Sequence, residues 1–209
     1  MYPGHWAKIC PDKPAIIHSQ TGERVTYKTL NDRSNQLAQL MWFQGLRRGD
    51  HVSIFMENDL HYFDMIWAAM RSGLYLTTVN RYLTAEEAAY IINNSESQTV
   101  LASNYLGDVA ADFPGLCPGV EKWLMTGEPL NGYENYQDAL TQYTTEPLKE
   151  EPAGAFMLYS SGTTGRPKGI LRPLPEKLIS EGADLVAGLQ KALWGFDENS
   201  IYLSPAPLY

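Results

Sequence analysis

Short β-rich runs alternate with amphipathic helical stretches over residues 26–103, and this alternation constrains the fold more than any other feature. Apolar residues recur at helical spacing in Thr26–Gly45 and Leu60–Arg71. Each stretch is followed by an apolar run typical of a strand, His51–Met56 and Leu74–Val79. Strands separated by helices need crossover connections, which favour parallel pairing. We predict an α/β fold with a mostly parallel sheet and helices on both faces.

The remaining predicted elements are less regular. Thr84 and Glu87 form a capping box that opens a helix through Ile92. A stretch rich in Gly, Pro, Asn and Glu covers residues 113–152. The other predicted elements are strands at Thr99–Ser103 and near Trp123–Met125, a short helix near Tyr136–Gln142, a strand at Ala155–Ser161, a long helix at Glu176–Leu193 and a last strand at Ser200–Leu203.

The composition is that of an ordinary globular protein. The chain has 209 residues, of which 44% are hydrophobic and 19% charged. Its net charge of −8 argues against a general nucleic-acid binder, because nucleic-acid backbones are bound through clustered Lys and Arg. Any polyanion that this chain binds must therefore meet a local positive site.

Cysteines, N-terminus and hydropathy give a consistent expectation about location. Cys10 and Cys117 cannot form a disulfide framework and lack metal-ligand spacing. The N-terminal residues contain no basic stretch followed by an apolar run, so no secretory signal is predicted. No stretch approaches the length of a transmembrane segment. We expect a cytoplasmic protein, and leave its oligomeric state open, a homodimer included.

Residues 159–169, YSSGTTGRPKG, are the most biased stretch of the chain. Glycines let backbone N–H groups approach an anion, and hydroxyls donate hydrogen bonds without adding charge. Lys168 can place an ammonium against phosphate oxygens. A solvated turn is the competing interpretation. The apolar strand before the loop, the paired hydroxyl residues and the basic residues Arg166 and Lys168 favour phosphate binding.

Other nucleotide and catalytic motifs do not fit. A Walker A loop ends in Gly-Lys-Ser/Thr, whereas Lys168 lies between Pro167 and Gly169. The chain contains no G-x-G-x-x-G, H-E-x-x-H or G-x-S-x-G. Dinucleotide-binding, zinc-protease and α/β-hydrolase functions therefore have no support.

The loop resembles the phosphate-binding signature of the adenylate-forming superfamily, which includes acyl-CoA synthetases, luciferases and peptide-synthetase adenylation domains. The resemblance extends to VTYKTLNDRSNQLAQLM, GLRRGDHVSIFMEN, RSGLYLTTVNRYLTAEEAAYIINNSESQTVLAS and SPAPLY. These stretches cover most of residues 25–209 and are most similar to bacterial acyl-CoA synthetases of the fatty-acid or aryl-acid type.

The resemblance implies a two-step reaction. A carboxylate attacks the α-phosphate of ATP and expels pyrophosphate, and the thiol of coenzyme A then displaces AMP to leave a thioester. ATP, Mg²⁺ and coenzyme A are the implied cofactor and cosubstrates, and a small carboxylic acid is the implied substrate. The loop would hold the β- and γ-phosphates.

The family motif assigns roles to individual residues only by resemblance. Ser160 is at a position whose hydroxyl lies near Mg²⁺ in relatives, and Tyr209 matches an aromatic position near the acyl site, with core packing an equal alternative for it. Arg166 is expected to be a solvated surface charge. The residues implied in nucleotide binding are Ser160, Ser161, Gly162, Thr163, Thr164, Gly165, Lys168 and Gly169.

The resemblance also implies that much of the enzyme is missing. Residues 1–209 correspond to the N-terminal portion of the large adenylation domain, and the C-terminal domain with its catalytic lysine has no counterpart here. We therefore expect no catalytic residue and no acyl-CoA formation from this stretch alone. ILRPLPEK departs from the hydroxyl–histidine step that many relatives carry, which leaves the substrate undefined.

Two other functions stay open at this point. One is an adenylation module that loads an amino or aryl acid onto a carrier protein. The other is a non-catalytic fold that uses the loop as a nucleotide-sensing or interaction surface.

Overall fold

A parallel sheet forms the centre of the chain. The computed structural model describes residues 2–160, 166–182 and 185–209. The helices and strands of these residues are α1 (Pro3–Ile9), β1 (Pro14–Ile17), β2 (Arg24–Thr26), α2 (Tyr27–Phe43), β3 (His51–Phe55), α3 (Tyr62–Arg71), β4 (Tyr75–Thr78), α4 (Ala85–Asn94), β5 (Ser97–Ser103), α5 (Gly107–Ala110), α6 (Phe113–Leu116), β6 (Lys122–Thr126), β7 (Glu134–Asn135), α7 (Tyr136–Leu140), β8 (Ala155–Phe156), β9 (Leu158–Ser160), β10 (Lys168–Ile170) and α8 (Leu185–Trp194).

The strand order of the central sheet is β7-β6-β5-β3-β4-β8, and every neighbouring pair in it is parallel. From β3 the chain passes through α3 to β4 on one side, and then through α4 to β5 on the other side of β3. The direction of winding therefore reverses between β3 and β5. In sheets of this kind, ligands bind outside the carboxyl ends of the strands at such a reversal.

Helices cover both faces of the sheet, and the alternation of side chains along the strands explains why. Leu101 and Leu124 point to the core that contains residues of α2, α3 and α7. Their neighbours Val100 and Met125 point to the opposite core, which contains residues of α4 and α6. All four side chains are fully buried, and each contributes about 1.5–3 kcal/mol. The predicted two-faced α/β architecture is confirmed.

Local signals set the ends of the long helices as the sequence predicts. The side chain of Thr26 accepts a hydrogen bond from the backbone N–H of Thr29 at 3.1 Å and starts α2. Gly45, at φ 101°, follows the end of this helix in the left-handed conformation that favours glycine. At α4 the reciprocal bonds of Thr84 and Glu87 form the predicted capping box.

The predicted strand Ala155–Ser161 is wrong as a single element. Ala155 and Phe156 pair with β4 in the central sheet, and Leu158–Ser160 pair with Lys168–Ile170 in a separate antiparallel hairpin. The first part of this apolar run is therefore a strand of the central sheet, and the second part is a strand of the hairpin. Periodicity cannot separate these cases, because both need the same extended backbone.

The predicted helix Glu176–Leu193 is also wrong over its first half. The backbone of Lys177 accepts from Ala153 N–H, and Ile179 N–H donates to Glu151 O, both at 2.9 Å. These bonds hold the segment in an extended conformation, and a single 3₁₀ turn over Ile179–Glu181 follows. The helix itself is α8, over Leu185–Trp194.

The predicted strand Ser200–Leu203 is absent from the described residues, where these residues have no regular structure and lie exposed. Conversely, the sequence did not predict α1 or the β1–β2 hairpin. Both are short, and β1 pairs with β2 through an irregular register. Elements of this length carry too few periods to be recognised.

Candidate phosphate-binding site

The described residues at the two ends of the glycine-rich stretch lie in an antiparallel hairpin that follows β8. In β9 and β10, Ser160 lies opposite Lys168, and Tyr159 lies opposite Gly169. Ser161, Gly162, Thr163, Thr164 and Gly165 lie outside the described residues. Of the predicted site, the structure thus places Ser160, Lys168 and Gly169, which lie on the two arms that lead into and out of the loop.

Ser160 and Lys168 are both exposed and lie side by side at the neck of the loop. The Ser160 hydroxyl is 3.5 Å from the backbone oxygen of Lys168, at the limit of a weak hydrogen bond. Among the described residues, no carboxylate lies within 4.0 Å of the Lys168 ammonium, in contrast to Lys28 and Lys122, which form ion pairs. The Lys168 charge is therefore available to an anion.

Gly169 lies close to two side chains. A Cβ at this position would meet the terminal methyl group of Met157, which belongs to a flexible side chain, and would lie 3.1 Å from the ring of Tyr159. The Tyr159 ring is therefore the firmer limit on a larger residue here. The predicted role of Gly169 in nucleotide binding stays a prediction in addition to this contact.

Arg166 is exposed, as predicted, but its guanidinium lies 5.0 Å above the ring of Tyr90 on α4. The same helix makes two hydrogen bonds to the hairpin. The Tyr159 hydroxyl donates to Asn94 Oδ1 at 2.8 Å, and the Tyr90 hydroxyl donates to Pro167 O at 3.3 Å. Partial burial raises the pKa of Tyr159 to about 12, so its hydroxyl keeps its proton at neutral pH.

Sequence reasoning missed Tyr90 and Asn94. The signal for them was a tyrosine and an asparagine four residues apart, which places them on one side of a helix. That spacing alone names no partner, because the hairpin lies 65 and 77 residues further along the chain.

Tyr209 lies at a different position from the hairpin. Asn58, just after β3, donates to Ala206 O and accepts from Leu208 N–H, both at 3.0 Å, which holds the last residues near the carboxyl end of that strand. The half-buried Tyr209 ring packs edge-on against Tyr82, with centroids 6.4 Å apart. No hydrogen bond or ring contact within the described ranges joins Tyr209 to Ser160, Lys168 or Gly169.

A partly buried carboxylate lies where the winding of the sheet reverses. Glu57 follows β3, and its Oε1 accepts a hydrogen bond from the hydroxyl of Ser103, the last residue of β5, at 3.0 Å. Its Oε2 is buried and has no partner among the described residues. Sequence reasoning did not single out Glu57, since only the strand order shows that β3 and β5 are neighbours.

The described residues contain no group of three or more His, Cys, Asp or Glu side chains that could hold a metal ion. The position of the Ser160 hydroxyl near Mg²⁺ stays a prediction. In the same part of the chain, no helix is long and apolar enough to cross a membrane.

The profile of the AMP-binding enzyme family matches residues 4–209, which is nearly the whole chain. The chain belongs to this family. Similar curated members include the fatty acid–acyl-carrier-protein ligase ScoC of Streptomyces coeruleorubidus, at 28% identity over 84% of this chain and 34% of that protein. Another is the 4-coumarate–CoA ligase CCL1 of Humulus lupulus, at 29% identity over 95% of this chain and 36% of that protein. The chain thus spans about a third of the length of these family members.

Solved structures of the family show the same fold. The N-terminal domain of FACL13 from Mycobacterium tuberculosis superposes with a TM-score of 0.68 at 22% identity, covering 82% of this chain and 43% of that domain. The anthranilate CoA ligase AuaEII superposes with a TM-score of 0.70 at 21% identity, covering 81% of this chain and 33% of that protein. At these identities the likeness establishes the architecture alone.

Proposed function

We propose that the full-length protein is an ATP-dependent acid–thiol ligase, which converts a carboxylic acid, ATP and coenzyme A to an acyl-CoA, AMP and pyrophosphate through an acyl-adenylate. The observation that carries the proposal is the pair formed by Ser160 and the exposed Lys168 on either side of the glycine-rich loop. It occurs in a chain that matches the AMP-binding family over residues 4–209.

The loop at 159–169 contributes phosphate binding to this reaction. Negative charge on the β- and γ-phosphates rises as pyrophosphate leaves, and donors held in place before the reaction stabilise it without reorganisation. Lys168 supplies a point charge, and Ser160, Ser161, Thr163 and Thr164 supply hydroxyl donors. Gly162, Gly165 and Gly169 allow the backbone N–H groups to approach the phosphates. Mg²⁺ belongs to the proposal only as the cation that accompanies ATP.

Residues 1–209 are, in this proposal, the phosphate-binding part of a larger adenylation domain. The support is that the chain covers 34% of ScoC and 36% of the coumarate ligase. Tyr209 lies at the carboxyl end of the sheet, next to Tyr82, which is compatible with a place near the acid. We expect residues 1–209 alone to make no thioester.

A second acceptor deserves a separate test, because one similar protein is named as an acyl-carrier-protein ligase and others as CoA ligases. In this alternative, the acyl group of the adenylate is transferred to the thiol of a carrier protein rather than to that of coenzyme A, and AMP leaves in both cases. Both alternatives share the first half-reaction and differ only in the thiol.

The deciding experiment is ATP–pyrophosphate exchange by the full-length protein with a panel of fatty, aryl and amino acids. We expect exchange with one class of acid, followed by thioester formation when coenzyme A is added. Thioester formation only with a carrier protein would favour the second acceptor. ATP binding without exchange for any acid would overturn the ligase proposal in favour of a nucleotide-sensing fold.

A further inference from the structure

One side of α4 contacts both arms of the glycine-rich hairpin. Asn94 accepts a hydrogen bond from Tyr159, which lies on the arm that leads into the loop, at 2.8 Å. Tyr90 donates to the backbone oxygen of Pro167, on the arm that leads out of it, at 3.3 Å. Tyr90 and Asn94 are four residues apart, so they are neighbours on the helix surface. The two arms are therefore held at the same place.

These contacts lie immediately outside the loop. Tyr159 is next to Ser160, and Pro167 is next to Lys168, the two residues that face each other at the neck. A shift of either arm against α4 would therefore move the Lys168 backbone. Since an ammonium–phosphate contact depends on distance and direction, such a shift would act on phosphate binding.

The helix is a firm support for these contacts. The capping box of Thr84 and Glu87 fixes its first turn, and its inner side is fully packed against the sheet through Ala88 and Ile92. Asn94 is exposed on the side away from this core. The orientation of α4 is thus set by the sheet, independently of the hairpin.

The hairpin, in contrast, has little backbone support of its own. Within the described residues, β9 and β10 form a two-stranded sheet and pair with no strand of the central sheet. An isolated two-stranded hairpin is marginally stable in water. Its backbone is tied to the central sheet just before β9, where Met157 N–H donates to Leu76 O at 2.9 Å. Beyond this bond, side-chain contacts orient the hairpin, and those to α4 are hydrogen bonds to both of its arms.

Tyr90 makes a second contact through its ring. The guanidinium of Arg166 lies 5.0 Å above it, on the arm that also carries Pro167. The hydroxyl and the ring of one side chain therefore hold two consecutive residues that directly precede Lys168.

We propose that Tyr90 and Asn94 are positioning residues, which set the direction in which the phosphate-binding hairpin presents Lys168 to ATP. This inference rests on the proposed function, because it assigns the two side chains to the phosphate site of that reaction. They act through Tyr159 and Pro167 and do not touch the reacting atoms.

The test uses the full-length protein with Tyr90→Phe, which keeps the ring and removes the hydroxyl, and Asn94→Ala, which removes the acceptor. Each variant is expected to raise the KM for ATP in pyrophosphate exchange about two- to tenfold, the range of one net hydrogen bond. The KM for the carboxylic acid should not change. Asn94→Asp keeps an acceptor for the Tyr159 hydroxyl, so its KM for ATP should equal that of the wild type.

Asn93→Ala is the matched control. Asn93 is the adjacent, also exposed residue of α4, and its amide donates to Leu116 O at 2.9 Å, away from the hairpin. It should reduce thermal stability about as much as Asn94→Ala and leave the KM for ATP unchanged. An equal rise of the KM for ATP in both variants would overturn the proposal, because the cause would then be general weakening of the helix.

A second measurement does not depend on activity. Amide hydrogen exchange of residues 158–170 without nucleotide should be faster in Tyr90→Phe and Asn94→Ala than in the wild type or in Asn93→Ala. Unchanged exchange and an unchanged KM for ATP would overturn the positioning role. The wild type separates the two proposals: if it shows no pyrophosphate exchange with any acid, the proposed function fails. If the wild type exchanges and Lys168→Ala loses exchange, but Tyr90→Phe and Asn94→Ala do not, the positioning role alone is rejected.

Discussion

The guanidinium of Arg71 donates from Nε to Oε1 of Glu151 at 2.6 Å, across 80 residues of chain. Arg71 is the last residue of α3 and is 1% exposed, while Glu151 lies in the segment that leads to β8. The remaining N–H groups donate to Tyr2, Asn31 and Ser34. One buried cation therefore joins the N-terminal residues, α2, α3 and the segment that leads to β8.

Arg71→Met is expected to destabilise the protein strongly. The substitution leaves Glu151 and the oxygen atoms of Asn31 and Ser34 without their donor, and breaking a buried pair costs about 3–5 kcal/mol. Urea unfolding should show this loss. Arg48→Met is the matched control, because Arg48 pairs at 3.0 Å with a Glu176 side chain that is 91% exposed; such surface pairs contribute about 0–1 kcal/mol. Similar losses for both variants would contradict this account.

Gly154→Ala should also destabilise the protein. A Cβ on Gly154 would lie 2.5 Å from Leu74 O, just before β4, and 2.6 Å from Ala69 O, in the last turn of α3. Overpacking of this kind costs about 1–3 kcal/mol. Differential scanning calorimetry of the variant measures the effect.

Gly115→Ala is the control for that variant, because Gly115 lies in α6 with open space around its Cβ position. It should be neutral or stabilise the protein by about 0.4–1 kcal/mol. The reasoning fails if Gly154→Ala leaves the melting temperature at the wild-type value.

Lys168→Ala should lower ATP–pyrophosphate exchange. Charge-assisted hydrogen bonds contribute about 1.5–3 kcal/mol, which corresponds to about a 10- to 150-fold reduction in kcat/KM for ATP. Lys149→Ala, which removes an exposed lysine before β8, should leave exchange unchanged. Steady-state exchange rates over a range of ATP concentrations provide the comparison, and an unaltered kcat/KM in Lys168→Ala would contradict the assigned role.

Cys117 should resist alkylation in the native protein, whereas Cys10 should react. Burial raises the pKa of the Cys117 thiol to about 11, and Cys10 is half-buried. Iodoacetamide at about pH 8 should add one group to the native chain and two after urea is added, as read by intact mass. Equal rates at both cysteines in the native protein would contradict the burial of Cys117.

The raised pKa of Cys117 also has a consequence for stability. Because the folded value lies above the unfolded one, the stabilising contribution is fully present below about pH 9 and is lost as the pH rises through about 11. Between about pH 9 and 11, the free energy of unfolding of the wild type should therefore fall more than that of Cys117→Ala. If the free energy of unfolding, measured in urea, has the same pH dependence in both proteins, Cys117 does not make this contribution.

The regular part of the fold was predictable because its signals are local and repeated. The Thr84–Glu87 capping box, and the apolar spacing of Leu30, Leu37 and Met41 in α2, are each complete within one element. The strand Ala155–Ser161 was mispredicted for the opposite reason. Whether an extended segment pairs with β4 or with a hairpin partner depends on residues far away in the chain.

The sequence by itself determined the chemistry that the hairpin can offer and the family to which the chain belongs. Glycines, hydroxyls and Lys168 lie within eleven consecutive residues, 159–169, so their combination is visible without a fold. Tertiary structure alone decided what holds that hairpin in place. Tyr90 and Asn94 reach Pro167 and Tyr159 over 77 and 65 residues, and Arg71 reaches Glu151 over 80. The packing of helices against the sheet brings these distant residues together. No local sequence pattern specifies which of them become partners.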